Sequence, residues 1–224
     1  MTRLVNKGEL LTMSLTDPTL VPNILAISLF VVTVFISLRA SYIYSQTRSP
    51  RLFILGLSMG VISLTAADNL VANFITIPFN TYWFLYLGQT ISYFFIWASF
   101  FRSSDEYLHG LMRWHIIGSL LALGLLLASP AIPPFPTNNV LRAIMSASRS
   151  IPCFGIFCCY IMAFMRKNAR FSFLMSLAFL LLTVGPWIIV EKYFVATGGD
   201  ILDGTGDVLR LVGLVVLLIA VLWG

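Results

Sequence analysis

Charge is what this sequence has least of. Of 224 residues only 10% are Asp, Glu, Lys or Arg, while 58% are hydrophobic and mean hydropathy is +0.91. A soluble domain carries about a quarter charged residues. So little polar surface cannot cover a globule in water, which excludes a water-soluble fold. Lysine is scarcer still, limited to Lys7, Lys167 and Lys192. None is central in the last apolar stretch, so a retinal Schiff base of the usual rhodopsin kind is excluded. His109 and His115 are the only histidines. Six residues apart, they fall on different faces of a helix and make a poor metal or haem pair. Cys153, Cys158 and Cys159 share one apolar segment, with no His or carboxylate at metal spacing, and read as small packing residues. No phosphate-binding glycine loop, zinc-protease helix motif or Ser/His/Asp set is present. Neither an enzyme activity nor a cofactor is expected.

Seven long apolar stretches fill most of the chain: 22–44, 52–76, 80–102, 112–132, 139–165, 171–196 and 204–223. Each is roughly the length that crosses a bilayer as a helix. Lipid cannot satisfy open backbone groups, and the segments are too long and too evenly apolar for barrel strands. The expected fold is therefore all-α, a single seven-helix transmembrane domain over 1–224. Arg3 and Lys7 do not lead straight into a short apolar core with a small-residue cleavage site, so the first stretch reads as a retained span. The breaks are chemically sensible. Thr47-Arg48-Ser49-Pro50-Arg51 ends the first span, and Pro130, Pro133, Pro134 and Pro136 end the fourth.

Net charge is +5, which on a soluble protein would invite a nucleic-acid reading. Here Arg48, Arg51, Arg102, Arg113, Arg166, Lys167 and Arg170 all fall in the first, third and fifth loops, while the second and fourth carry no Lys or Arg. The positive-inside rule places those odd loops in the cytoplasm, the N-terminus outside and the C-terminus inside. No nucleic-acid partner is expected. A faint internal echo accompanies this pattern: Arg48 to Asp68 and Arg166 to Trp187 both run from a basic turn into an aromatic-aliphatic helix.

Polar residues inside the spans carry the functional signal. Asp68, Asn69 and Asn73 lie toward the outer end of the second span, and Gln89 lies in the outer half of the third. Arg142, Ser146, Arg149 and Cys153 follow at i, i+4, i+7 and i+11, one face of the fifth. Glu191 closes the sixth. Asp207 and Arg210, three apart, are placed to pair near the start of the seventh. The inner halves read as almost wholly apolar. An intramembrane charge costs a few kcal/mol and normally faces the bundle interior, a partner or water. Arg149 is the deepest cation of the group, and Asp68 is its expected counter-ion. Pro186, between Gly185 and Trp187, is a hinge candidate in the sixth span. The stretch from Asp105-Glu106-Tyr107 to Met112-Arg113-Trp114 reads as a short interfacial turn holding His109.

Seven spans with an external N-terminus are similar in architecture to rhodopsin-like receptors, to the seven-helix sensor regions of bacterial signalling proteins, and to small sugar transporters of three-plus-one-plus-three design. No motif carries a residue role across from any of them. The leading expectation is a receptor-like or sensor-like module of the cell membrane with a polar site in its outer half. The alternatives are a non-catalytic subunit of a larger membrane complex and a small-solute or ion transporter. The expected partners are the lipid bilayer and a neighbouring membrane subunit or signalling partner that supplies any output.

Overall fold

Apolar segments without water to bond must close their backbone hydrogen bonds within themselves, and a helix does so segment by segment. The computed structural model describes residues 20–74, 81–132, 138–195 and 199–223, with side chains over 23–72, 81–132, 138–195 and 201–223. The described residues form seven α-helices: α1 (Leu20–Thr47), α2 (Pro50–Phe74), α3 (Thr81–Ala98), α4 (Asp105–Ala128), α5 (Asn139–Lys167), α6 (Arg170–Glu191) and α7 (Gly199–Trp223). A 3-10 turn, Ser129–Ala131, follows α4. Six of the seven are long and apolar enough to cross a membrane; α3 is the exception. Its Tyr82, Trp83, Tyr86, Gln89 and Tyr93 dilute the apolar character of an 18-residue helix.

Local chemistry sets the ends. Asn138 caps α5 by accepting from the Val140 amide at 2.9 Å, and Arg166 and Lys167 sit in the last turn, where the helix dipole favours cations. Asp105 and Glu106 occupy the first turn of α4, where anions are favoured. That first turn corrects the sequence reading. The stretch expected as an interfacial turn is helix from Asp105 onward, so α4 starts seven residues before the expected 112. The third span ends at Ala98 and not at 102.

Packing follows chain order, with one departure. α1, α2, α3, α5, α6 and α7 each touch the next, and α7 closes the ring on α1, while α4 lies outside against α2 and α3. α4 accordingly shows Trp114, Ile116, Ile117, Leu120, Leu121 and Leu127 on its outer side. Inside the ring, Ile36, Met59, Ile62, Ile96, Ile156, Phe179 and Leu217 form an apolar core.

The ring also repeats. Leu29, Val32, Thr33 and Ile36 of α1 are buried, and so are Arg149, Pro152, Cys153 and Ile156 of α5, each 120 residues later. Ser58, Met59, Ile62 and Ala66 of α2 match Ala178, Phe179, Leu182 and Pro186 of α6 at the same shift. From α3 to α7 the shift is 121: Ser92, Tyr93 and Ile96, with Ser99 just past the end of α3, match Gly213, Leu214, Leu217 and Ala220. The turns agree as well. Among the described residues, Arg48 and Asn168 are the two non-glycine residues with positive φ, at 56° and 49°. Each donates its amide to a carbonyl four residues back, Tyr44 and Phe164, closing α1 and α5 identically. Burial register and turns thus pair α1 with α5, α2 with α6 and α3 with α7, which divides the described helices into two three-helix units with α4 between them. The echo in the sequence sets Arg48 against Arg166, whereas the burial register sets Arg48 against Asn168.

Candidate functional site

Arg149 lies ten residues into α5, about 15 Å from its start, and faces the interior with 5% exposure. Gln89 lies at a similar depth in α3, Arg210 in α7, and Leu29 in α1. These four line a pocket with Tyr93, Cys153, Leu182, Pro186 and Leu214. Matched positions of the repeat meet across it: Leu29 with Arg149, Gln89 with Arg210, Tyr93 with Leu214. The pocket therefore sits at the junction of the two three-helix units. In this packing it is tight, with room for about one water. Toward the basic end of the bundle it is closed by the apolar layer that includes Ile36, Ile96, Ile156 and Leu217.

The guanidinium of Arg149 is held by neutral groups. Its Nη1 donates to Gln89 Oε1 at 3.0 Å, and its Nη2 donates to Ser146 Oγ at 3.2 Å. The Tyr86 ring covers one face, with its centroid 4.5 Å from Cζ. The Nε–H is buried and has no hydrogen-bond partner among the described residues. Gln89 is itself oriented from behind. Its Nε2 donates to Thr65 Oγ1 at 3.3 Å, and the Thr65 hydroxyl donates to the Ile62 carbonyl at 2.7 Å. With the hydroxyl proton committed to Ile62, Thr65 offers a lone pair to the amide nitrogen, which turns the amide oxygen toward Arg149.

Asp68 does not pair with Arg149. The ion pairs among the described residues are Lys192–Asp203 and Asp207–Arg210, the latter at 3.2 Å. The reason is register. Thr65, not Asp68, comes level with Gln89, and Gly88 lets α3 approach closely, since a Cβ there would lie 2.8 Å from Thr65 Cγ2. Asp68 sits almost a turn further along α2, half-buried, with its Oδ2 unpartnered among the described residues.

The other expected residues divide. Ser146, Arg149 and Cys153 are buried on one face of α5, as their spacing predicts, and Arg142 is half-buried on it. Asp207 and Arg210 pair as expected, and Arg210 reaches the pocket. Asn69 is half-buried and does not line the pocket. Glu191 is exposed at the end of α6. The side chain of Asn73 lies outside the described residues. Pro186 lines the pocket, but its neighbour Trp187 is 54% exposed and points away from it. Tyr86, Tyr93 and Thr65 are site residues that the sequence reading passed over. Tyr86, Gln89 and Tyr93 stand at i, i+3 and i+7, the same helical spacing that revealed the α5 face.

A second polar cluster lies nearer the basic end, against the expectation that the inner halves are apolar. His115 is 0% exposed. It stacks on Phe95 with centroids 4.4 Å apart, and its Nε2 lies 3.4 Å from Ser58 Oγ. It is buried because α4 begins early enough to carry it about 15 Å into the bundle. His109 stays exposed, its Nδ1–H donating to the Asp105 carbonyl at 2.8 Å. The cysteines are free thiols, with Cys153 buried and the other two half-buried. No group of His, Cys, Asp and Glu among the described residues is arranged to hold a metal ion.

No family, no curated protein and no solved structure matches this chain.

Proposed function

We propose that this chain is a receptor-like or sensor-like seven-helix module of a cell membrane, with its ligand site at the Arg149 pocket in the outer half. The arginine-bearing odd loops lie in the cytoplasm in this reading, which sets the N-terminus outside and the C-terminus inside. One observation carries the reading: Arg149 is buried, has no carboxylate partner among the described residues, and keeps an unpaired Nε–H beside a pocket. A buried charge without a counter-ion is costly. A purely structural arginine would be expected to have its carboxylate within reach. An arginine held ready by neutral acceptors is what an incoming ligand needs.

The response to binding runs through α6 and α7. Pro186 removes one backbone hydrogen bond from α6 at the pocket wall. Beside it Gly185 and Gly206 bring the two helices together, since a Cβ on Gly185 would lie 2.7 Å from the Gly206 carbonyl oxygen. A ligand that fits one packing of this junction better than the other shifts the population between them. A neighbouring subunit or signalling partner at the cytoplasmic side reads the shift.

The test is a distance measurement. Spin labels at Thr47→Cys and Phe171→Cys, with the three native cysteines replaced, report the separation of α1 and α6 at the basic end. Wild type in bilayer discs should show two populations, and Arg149→Met should redistribute them. A single distance, unchanged by Arg149→Met, would remove the sensor reading. The repeat favours a second reading, a transporter that binds solute between its two units. Net solute flux into proteoliposomes would decide for it.

A further inference from the structure

We infer that the Arg149 pocket binds the carboxylate of a small monoanion with an apolar tail. The inference rests on the ligand-site reading above and names the ligand chemistry for it.

Charge comes first. Two cations line the pocket, Arg149 and Arg210. Asp207 neutralises Arg210 at 3.2 Å, and Lys192 and Asp203 neutralise one another nearby. The pocket is left with one uncompensated positive charge, on Arg149. One negative charge completes it, and a dianion would leave an excess.

Geometry selects the kind of anion. Tyr86 covers a face of the guanidinium, so approach over that face is blocked. Gln89 takes Nη1. What remains is the side edge, where Nε–H has no partner and Nη2 carries two hydrogens for the single Ser146 acceptor. Two parallel N–H groups in one plane match the two oxygens of a carboxylate. A halide offers the two N–H groups one shared acceptor atom in place of two parallel bonds.

The rest of the lining describes the tail. Leu29, Cys153, Leu182 and Leu214 present apolar surface beside the charged end, and Pro186 bounds the wall. The space that this packing leaves holds about one water, less than a carboxylate headgroup needs, so binding requires α6 and α7 to give way. Binding and the helix shift are then one event. The neutral hold on Arg149 also has a purpose: Gln89 and Ser146 position the guanidinium without consuming its charge.

The experiment uses the full chain purified in an uncharged detergent, with thermal unfolding as the readout and ionic strength held by sodium sulfate. Sodium butyrate is compared with sodium chloride and with butyramide, the uncharged amide of the same size. Butyrate should raise the midpoint in proportion to the logarithm of its concentration once above its dissociation constant, by about 3 °C at ten times that constant. Chloride and butyramide should not. Arg149→Gln should abolish the effect. Because that variant removes a buried charge and its folding is at risk, Gln89→Glu serves beside it. Glutamate there keeps the side-chain size, supplies an internal carboxylate to which the Thr65 hydroxyl can turn and donate, and should leave nothing for butyrate to bind. An equal effect from butyramide, an equal effect from chloride, or a butyrate effect that survives Gln89→Glu would each overturn the inference. An Arg149-dependent shift with chloride or butyramide but not butyrate would overturn the carboxylate and keep the site. No Arg149-dependent shift with any probe, together with unchanged spin-label distances, would overturn both.

Discussion

Arg149 and Gln89 meet across the α3–α5 contact, guanidinium to amide oxygen at 3.0 Å, where a carboxylate would ordinarily stand. The pair is stabilising in a particular sense. Removing one partner strands the other in a buried place, and the stranding costs more than the bond contributes. Gln89→Leu should lower stability by about 2 kcal/mol, the order of a hydrogen bond to a charged group. Arg149→Met with Gln89→Leu should recover part of that loss, because two apolar groups leave nothing unsatisfied. A double-mutant cycle by denaturation in detergent measures the coupling; a coupling near zero would contradict the geometry.

Asp68 makes a contrasting case. It does not touch Arg149, so Asp68→Asn and Arg149→Met should be additive within about 0.5 kcal/mol. Asp68→Asn alone should be neutral or slightly stabilising, since it removes a charge from a half-buried oxygen without a partner. A large rescue of Arg149→Met by Asp68→Asn would restore the ion pair that charge alone suggests.

That suggestion shows what the sequence made visible and what it did not. Opposite charges at similar depth point to a pair, but register decides which side chains come level, and Gly88 set against Thr65 brings Gln89 to the position Asp68 was expected to hold. The α5 face was visible because Ser146, Arg149 and Cys153 recur at helical spacing in an apolar background. The α3 face of Tyr86, Gln89 and Tyr93 has the same spacing, yet tyrosines near a span end read equally as an interfacial belt. The early start of α4 was masked by Glu106 and Arg113, which break the apolar run without breaking the helix. The repeat was hardest to read. Leu29 and Arg149 occupy equivalent positions, as do Thr65 and Gly185, so burial is preserved while chemistry is not.

The α3–α5 contact also depends on Gly155. A Cβ there would fall within contact distance of the Trp97 indole. Gly155→Ala should therefore destabilise by about 1–3 kcal/mol, the usual cost of overpacking. Trp97→Leu should relieve most of the added strain in the double variant, although alone it removes buried aromatic surface. Thermal unfolding of the three proteins checks this, and additivity of the two changes would count against the close approach.

Orientation has a direct test. In a background without native cysteines, Thr47→Cys and Ser103→Cys should be shielded from a membrane-impermeant thiol reagent applied to intact cells. Asn139→Cys and Val195→Cys should react. All four side chains are exposed at helix ends or loops, so access to the reagent is set by the membrane and not by packing. Reaction at Ser103→Cys from outside would reverse the topology drawn from Arg102, Arg113 and their neighbours.

The two matched turns give the sharpest check on the repeat. Arg48 and Asn168 both hold left-handed backbone conformations, with φ of 56° and 49°. A β-branched residue is strained there, because its Cβ substituents crowd the adjoining backbone. Arg48→Val and Asn168→Val should each cost about 1–2 kcal/mol. The cost at Asn168 should be the larger, since Asn tolerates this conformation better than Arg does and so has more to lose. Glycine reverses the sign at Arg48: relief of about 1 kcal/mol of strain exceeds the roughly half as large entropic cost of a glycine. At Asn168, where less strain exists to relieve, glycine should be close to neutral. The turns lie on different hairpins, so the two valine changes should add. If valine were costly at one turn and harmless at the other, α1–α2 and α5–α6 would not be equivalent hairpins, and the shared burial register would have to arise from ring packing alone.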